Sequence, residues 1–375
     1  MSQHNVLYLA PWVTIGGSDK GTIDWFRELD RDRFRPFLVT TQESPNEWFG
    51  RAAAYADEAW SLPDVMAGSV IPAWLIDFVR SRQIDTLHVM NSRLGFDLLP
   101  ALRQAEPDMS VVVQLHIEEQ ERAGYTGYAV RRYDGLIDAY SVISDMLAGI
   151  VAGYGASPTK VFVIPLGVDA DEEWNPDLGD SVTPLPYPVP RTGYRVLFPA
   201  RLVNQKDPFL MVAVARALAE RGSQAVIDVV GDGPLRDELQ AEVARSGLTA
   251  RVVFHGVSTE MRRWYRGTDV VLMTSFDEGL PLVLGEALAM RLPVVASDVG
   301  ACHELVTPDC GVLISRRGDA DAYADALMAL EGDPERRARL GQAGRAQVLS
   351  TFTADAMARA REDLYLRLAD RSARV

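Results

Sequence analysis

Short apolar runs alternate with helix-like stretches along almost the whole of this 375-residue chain, and this alternation limits the possible folds more than any other feature. Between the runs, stretches such as Ile71–Arg82 and Leu94–Gln104 repeat apolar residues at the helical period. Strands buried on both faces of a parallel sheet have this continuous apolar character. The order predicts a doubly wound α/β fold, with first-half strands at Val6–Ala10, Phe37–Thr40, Thr86–Met90, Val111–Leu115, Ala139–Ile143 and Val161–Ile164.

One acidic and proline-rich stretch, residues 169–193, interrupts the alternation, and we predict an exposed linker there. We therefore expect two Rossmann-like domains, residues 1–170 and 194–353, joined by a linker at 171–193. In such folds the carboxyl ends of the strands face a shared cleft where ligands bind. The second alternation has strands at Val196–Ala200, Ala225–Val230, Val252–His255, Val270–Met273, Pro293–Ala296 and Val312–Ile314, and closing helices at Ala320–Leu330, Pro334–Leu349 and Ala354–Leu368.

The net charge of −14 is shared by both halves, which argues against a nucleic-acid partner because such a partner requires a basic face. No apolar run approaches the roughly 18 residues of a membrane-spanning helix. Residues 1–10 contain no basic region before the first apolar run, so we expect no signal peptide. The two cysteines, Cys302 and Cys310, have no metal-type spacing to histidine, and a reducing cytoplasm is the expected location.

The most specific stretch is residues 274–304, which carries Glu278 in a Gly/Pro loop and Glu286 eight positions later in the following helix. We expect Pro281 to be the first helical residue, where its missing N–H costs nothing. The N–H groups of Leu282–Leu284 then point out of an uncapped helix start, which favours an anion. A nucleotide sugar has a sugar at one end of its diphosphate and a ribose at the other. A carboxylate at each end of a phosphate site, accepting hydrogen bonds from these hydroxyls, suits such a ligand. Two solvated acids at a helix end are the alternative.

Two cations follow the predicted strand Val196–Ala200, namely Arg201 and Lys206. An arginine offers a planar fork to phosphate oxygens and a lysine offers a point charge. Cations fixed beside a departing diphosphate stabilise the charge that builds on it during glycosyl transfer. Ordinary surface cations are the alternative interpretation.

A glycine pair, Gly16 and Gly17, follows the first strand and precedes a helix predicted over Thr22–Leu29. Glycines let the backbone approach a phosphate or a sugar closely, with a helix start behind them. The spacing is not that of a dinucleotide-binding fingerprint. A structural turn explains the pair equally well.

Three further strand ends carry candidate ligand contacts. His116 ends the strand Val111–Leu115, where it can hydrogen-bond a sugar or stabilise developing charge, although a structural histidine is the alternative. Gly231 lies in a Gly-Asp-Gly-Pro turn after one strand, and Val257 follows the next strand. Both glycine-rich positions are also consistent with tight turning alone.

These motifs together resemble the retaining glycosyltransferases of family 4, which have the GT-B fold. The segment Phe276–Pro281 followed by Glu286–Ala289 carries the resemblance, and the Arg201–Lys206 element adds to it, with Pro199-Ala200 in place of the usual small-Gly pair. Two further departures are Leu166, in place of the commoner Asn, and Ala301-Cys302, in place of a second Gly. The resemblance implies that the final helix, residues 354–375, crosses back to the first domain.

The resemblance also implies a role for each site residue. Glu278 contacts sugar hydroxyls, Glu286 contacts the ribose, and His116, Glu278, Arg201 and Lys206 form the catalytic set. Donor binding lies mostly on the second domain and acceptor binding on the first. The donor-binding set implied is Gly16, Gly17, Arg201, Lys206, Gly231, Val257, Glu278, Gly279, Leu280, Pro281, Leu282, Val283 and Glu286.

The expected activity is transfer of a sugar from a nucleoside diphosphate sugar, UDP- or GDP-linked, to an acceptor hydroxyl with retention of configuration. No cofactor and no metal are expected, because the cations and amides take the phosphate charge. Two other classes stay open. A sugar-nucleotide epimerase would need acids and bases around the sugar, for which the candidates are Glu278, His116 and Glu118. A catalytically inert nucleotide-sugar-binding subunit is the non-enzyme alternative.

Two short basic clusters, Arg131-Arg132-Tyr133 and Arg31–Arg35, are mixed with acids. We interpret them as solvated faces, with weak peripheral contact to the inner face of a membrane through the first domain as the alternative.

Overall fold

The structure is a computed structural model that describes residues 3–117, 124–179 and 193–372. The chain divides into two compact units. The first is Met1–Gly167 together with Ala354–Val375, and the second is Val168–Thr353. Each unit has one parallel sheet with helices around it, as the alternation of the sequence predicts.

The first unit contains a seven-stranded parallel sheet in the order β3-β2-β1-β4-β5-β6-β7. Its strands are β1 His4–Ala10, β2 Phe34–Thr40, β3 Glu58–Ser61, β4 Thr86–Met90, β5 Ser110–Leu115, β6 Ala139–Val142 and β7 Val161–Val163. The connecting helices are α1 Gly17–Glu28, α2 Phe49–Ala53, α3 Leu62–Val65, α4 Ile71–Ser81, α5 Arg93–Ala105, α6 Tyr125–Tyr133 and α7 Asp145–Gly153, with 3₁₀ turns at Asp134–Leu136 and Pro158–Lys160.

The second unit contains a six-stranded parallel sheet in the order β10-β9-β8-β11-β12-β13. Its strands are β8 Arg195–Pro199, β9 Val226–Val230, β10 Val252–Gly256, β11 Val270–Met273, β12 Val294–Ser297 and β13 Gly311–Ile314. Its helices are α8 Pro208–Glu220, α9 Arg236–Arg245, α10 Met261–Arg266, α11 Leu282–Ala289, α12 Cys302–Leu305, α13 Ala320–Glu331 and α14 Pro334–Thr351, with a 3₁₀ turn at Asn204–Lys206.

The final helix, Ala354–Ser372 (α15), packs on α1 and β5 of the first unit, as the resemblance implies. Tyr365 and Arg361 are among its fully buried residues. Within the described residues, no helix combines the length and the apolar character that crossing a membrane requires.

The twelve apolar runs all form strands, whereas the edge strand β3 was missed. It lies at the edge of its sheet, and its sequence, Glu-Ala-Trp-Ser, has no continuous apolar run from which to predict it. The prediction of α1 was wrong at its start. The helix begins at Gly17 and not at Thr22, so that most of the predicted glycine loop is helical.

Part of the predicted linker is buried rather than exposed. Trp174 is 4% exposed and packs edge-on against the Tyr265 ring. The Arg345 guanidinium donates to the backbone oxygens of Ala170 and Trp174 at 3.1 and 3.2 Å, and to that of Ala289 at 2.7 Å. These bonds satisfy a buried cation and attach the segment to the second unit. The remainder of the predicted linker, residues 180–192, lies outside the described residues.

Candidate functional site

The order of the second sheet reverses between β8 and β11, and ligands of doubly wound folds bind at this switch point, outside the carboxyl ends of the strands. The loops that leave these two strands, together with the helix α11 that follows the second loop, carry most of the predicted site residues. They are also joined to each other: Phe276 N–H donates to the Gln205 carbonyl at 2.8 Å, and the Thr274 hydroxyl donates to the Lys206 carbonyl at 3.0 Å. These hydrogen bonds therefore fix the positions of the two loops relative to each other.

An ion pair stands at the centre of these loops. Lys206 Nζ lies 2.5 Å from Glu278 Oε1, and Glu278 is 6% exposed. The sequence predicts contacts of the two residues with different parts of a ligand, but it does not predict their contact with each other. Because the carboxylate is largely buried, removing the lysine leaves a charge without its partner, which is strongly destabilising.

A glycine from a third strand supports the Glu278 loop. Gly300 follows β12 with φ +56, and a Cβ at this position would lie 1.6 Å from the Glu278 carbonyl oxygen. Ala301 N–H donates to the Gly279 carbonyl at 3.0 Å, which fixes the same loop from the same side. Gly300 was not singled out from the sequence, because its requirement comes from a contact and not from a motif.

The helix that follows this loop begins one residue later than expected. Pro281 is the N-cap of α11, with extended backbone, and Leu282 is its first residue. Leu284 N–H donates to the Pro281 carbonyl at 3.0 Å, so this amide is not available as predicted. No side chain within the described residues caps the helix, which leaves the N–H groups of Leu282 and Val283 as the amides suited to an anion.

Glu286 lies one turn further along α11, and Tyr265 of α10 positions it. The Tyr265 hydroxyl donates to Glu286 Oε2 at 2.8 Å. The Tyr265 ring is fully buried, and burial, with the Glu286 charge as a second cause, raises the pKa of its hydroxyl. The hydroxyl therefore remains a donor and orients the carboxylate. No sequence signal identified Tyr265.

The remaining residues of the second unit lie at the ends of β8, β9 and β10. Arg201 is exposed to solvent. Gly231 has φ +143, and a Cβ there would lie 1.9 Å from the Ala200 carbonyl oxygen, so packing alone requires this glycine. The Gly231 N–H donates to the Gly256 carbonyl at 2.8 Å. Val257, which follows Gly256 in the chain, is 63% exposed. The structure thus explains Gly231 without a ligand.

In the first unit, His116 follows β5 and is 7% exposed. Burial, helped by the Arg361 charge, lowers the pKa of its imidazole to about 3. The ring is therefore neutral at physiological pH. Of the two roles predicted for His116, hydrogen bonding fits this charge state and direct stabilisation of charge by an imidazolium does not.

The predicted glycine pair lies at the start of α1, with Gly16 as its N-cap and Gly17 as its first residue. The φ of Gly16 is extended, and a Cβ there would meet no atom within 4 Å. Neither conformation nor packing requires glycine at this position. The Asp19 carboxylate, 3% exposed, accepts from Thr14 N at 2.9 Å and from Thr14 Oγ1 at 3.1 Å, which ties the preceding loop to the helix.

Asp19→Asn is expected to stabilise the protein above pH 6 by about 1–3 kcal/mol. Burial raises the pKa of Asp19 from 3.8 to about 6, so the folded state holds a proton that the unfolded chain has already lost. The carboxylate therefore costs stability progressively between pH 4 and pH 6 and fully above pH 6. Urea unfolding at pH 5 and pH 7.5 measures this, with the exposed Asp32→Asn as control. An unchanged pH dependence in Asp19→Asn would contradict the assignment.

The arginines of the Arg31–Arg35 cluster are paired with acids. Arg31 and Arg35 both bind Asp57, the latter at 2.8 Å, and Arg33 lies 3.8 Å from Glu362. This pairing supports the interpretation of a solvated face. Among the described residues, no three His, Cys, Asp or Glu side chains group as metal ligands. Glu118, the third epimerase candidate, lies outside the described residues.

Comparison with solved structures identifies the fold as that of GT-B glycosyltransferases. A glycosyltransferase from Rickettsia africae superimposes with a TM-score of 0.81 at 16% identity, over 98% of this chain and 99% of its own. Anabaena HepE, solved in complex with UDP, gives 0.78 at 18% identity, over 96% and 99%. At these identities the likeness shows the fold alone.

The family follows from the sequence itself. Residues 15–172 match the profile of Glycosyltransferase Family 4, and residues 186–347 match that of Glycosyl transferases group 1. The chain belongs to the family 4 glycosyltransferases, as its motifs predicted.

Two curated relatives show how far the similarity extends. The D-inositol 3-phosphate glycosyltransferase of Xylanimonas cellulosilytica is 34% identical over 58% of this chain and 53% of its own length. The match thus spans about half of that relative. The lipopolysaccharide core biosynthesis mannosyltransferase LpsB of Rhizobium meliloti is 27% identical over 81% of this chain and 85% of its own.

Proposed function

We propose that this chain is a retaining glycosyltransferase that moves a sugar from a nucleoside diphosphate sugar to an acceptor hydroxyl. The observation that carries the proposal is the Lys206–Glu278 ion pair at the switch point, beside the uncapped start of α11. A cation and free amides suit a diphosphate, and carboxylates on either side suit the hydroxyls of a sugar and a ribose. The UDP and UDP-glucose complexes of Anabaena HepE support a donor of this class.

The leaving diphosphate gains charge as the glycosidic bond breaks, and this charge is what the second unit is proposed to stabilise. Lys206 supplies a point charge, the exposed Arg201 supplies a planar fork, and the N–H groups of Leu282 and Val283 supply dipoles. The pair with Glu278 holds Lys206 and the helix holds the two amides before the reaction, so these groups need no reorganisation. We propose that they act without a metal, for which the test is activity that persists in EDTA.

Glu278 is proposed to accept hydrogen bonds from the transferring sugar, and Glu286, held by Tyr265, from the ribose. Retention through displacement on the same face, with the diphosphate helping to deprotonate the acceptor, is the stereochemical course that the family implies. The nucleotide of the donor, UDP or GDP, and the acceptor bound to the first unit remain predictions from the sequence. The cytoplasmic location and weak membrane contact remain predictions as well.

Lys206→Ala is expected to weaken binding of a nucleoside diphosphate by about 1.5–3 kcal/mol, the range of hydrogen bonds to charged groups. Part of this loss comes from the Glu278 carboxylate, which then stands unpaired beside the phosphates. The Lys206→Ala/Glu278→Gln double variant removes that repulsion and is expected to bind more tightly than the single variant. Calorimetric titration with UDP and GDP measures both effects.

Arg221→Ala is the matched control, because Arg221 follows α8 and pairs with Asp321 and Asp325 on the exposed surface. Its nucleotide affinity is expected to equal that of the wild type. Equal affinity in Lys206→Ala would remove this residue from the site. Conversion of a donor sugar to its epimer without an acceptor would identify the epimerase alternative instead.

A further inference from the structure

A line of hydrogen bonds crosses the core of the first unit from α15 to His116. The Tyr365 hydroxyl lies 2.6 Å from His88 Nδ1, and His88 Nε2 lies 2.9 Å from Gln114 Oε1. Gln114 Nε2 contacts His116 Nε2. All four side chains are buried, with exposures from 0 to 7%, so water does not compete for these bonds.

The chemistry of the Gln114 amide gives this line a direction. An amide nitrogen donates and an amide oxygen accepts. His116 Nε2 therefore accepts, and the single proton of its neutral ring lies on Nδ1. On the other side, His88 Nε2 donates to Gln114 Oε1, so His88 Nδ1 accepts from the Tyr365 hydroxyl. His88 and Gln114 thus each accept once and donate once, between the Tyr365 donor and the His116 acceptor.

Burial, with a nearby charge as a second cause, lowers the pKa of both imidazoles and keeps both rings neutral. Arg361 of α15 is fully buried, packs 5.3 Å from the Trp25 ring centroid, and has no hydrogen-bond partner on its guanidinium within the described residues. Its uncompensated charge adds to burial in lowering the pKa of His116 and of His88. Protonating either imidazole would place a second cation in the same apolar core.

We infer that Tyr365, His88 and Gln114 are positioning residues that hold His116 as its neutral Nδ1–H tautomer. Among the described residues His116 Nδ1 is buried without a hydrogen-bond partner. An unpaired buried donor is costly, and a substrate oxygen at the carboxyl edge of the first sheet satisfies it. His116 then serves the substrate as a hydrogen-bond donor and not as a base or a cation. This role in turnover rests on the proposed function.

The tautomer is measured directly by long-range proton–nitrogen correlation in the full-length protein labelled with ¹⁵N-histidine. His116 is expected to carry its proton on Nδ1 at pH 7 and to remain neutral down to pH 5. Gln114→Glu replaces the amide donor by an acceptor and is expected to move the proton to Nε2. A wild-type His116 protonated on Nε2, or on both nitrogens, overturns the inference whether or not any activity has been found.

Turnover supplies the second readout. An Asn amide nitrogen can take the place of Nδ1–H, whereas an Asp oxygen only accepts. His116→Asn is therefore expected to keep a kcat about tenfold or more above that of His116→Asp, the worth of one hydrogen bond. Equal loss in both variants overturns the donor role.

Tyr365→Phe tests the far end of the line and is expected to lower kcat without changing KM for the donor. Tyr133→Phe is the control. Tyr133 is buried and its hydroxyl donates to Asp97 at 2.8 Å, so it takes no part in the line. If Tyr365→Phe behaves like the control, Tyr365 is not a positioning residue. If no nucleotide binds to the wild type, the proposed function fails while the tautomer measurement still decides this inference.

Discussion

Glu278→Ala is expected to lower kcat by roughly 10²-fold or more, which corresponds to about 2.7 kcal/mol of transition-state stabilisation. The proposed contact of Glu278 with the transferring sugar strengthens as the sugar ring flattens and charge moves. Nucleotide affinity should be kept or improved, because Lys206 is released from its 2.5 Å pair with Glu278. Steady-state kinetics on an identified donor, together with nucleotide titration, measures both quantities. Glu278→Gln should recover part of the loss if hydrogen bonding matters more than charge.

Glu286 provides the comparison, because the ribose is bound equally in the ground state and the transition state. Glu286→Ala is therefore expected to raise KM for the donor more than it lowers kcat. Tyr265→Phe, which removes only the hydroxyl that orients Glu286, should produce a smaller change of the same kind. If both glutamate variants lose nucleotide affinity alike and neither changes turnover, the assignment of Glu278 to the sugar and Glu286 to the ribose fails.

Gly300→Ala is expected to damage the site as severely, although Gly300 itself is not proposed to contact a ligand. The new Cβ would lie 1.6 Å from the Glu278 carbonyl oxygen, so the loop carrying Glu278 must move. This movement displaces both the ion pair and the start of α11. We expect kcat/KM to fall by roughly 10²-fold or more and nucleotide affinity to fall with it.

Gly247→Ala is the matched control for the backbone. Gly247 has φ +67, close to the +56 of Gly300, but a Cβ there would meet no atom within 4 Å. Both variants carry the cost of a left-handed alanine, about 1–2 kcal/mol. Only Gly300→Ala should lose further stability in urea unfolding, and only it should lose activity. Equal behaviour of the two variants would show that the Glu278 loop adapts to the added methyl group.

The prediction of the fold succeeded where the sequence of a strand is a continuous apolar run. Parallel strands such as β11 and β12 are apolar at nearly every position, so their positions follow from local sequence. The edge strand β3, Glu-Ala-Trp-Ser, lacks that pattern and was missed, whereas the edge strands β7, β10 and β13 keep an apolar run and were predicted. The start of α1 was misplaced because a glycine pair such as Gly16 and Gly17 is typical of a loop, whereas Gly17 is the first residue of the helix.

The prediction of the site named the two glutamates and the two cations but not what holds them. Lys206 and Glu278 are 72 residues apart and meet because β8 and β11 are neighbours in the sheet. Tyr265 reaches Glu286 from another helix, and Gly300 reaches the Glu278 loop from a third strand. Each of these contacts depends on strand order, which a local motif does not encode.

The amino-acid pattern alone was enough to predict the alternation of strands and helices, the family, and the chemical types of side chain at the strand ends. The folded chain was needed to see which of those side chains touch, that the Leu284 amide is occupied, and that Tyr365 lies at the end of a line leading to His116. The difference comes from the range of the interactions. Apolar periodicity and capping act within one element, whereas ion pairs, close packing at glycine and the field of a buried cation act between elements distant in sequence.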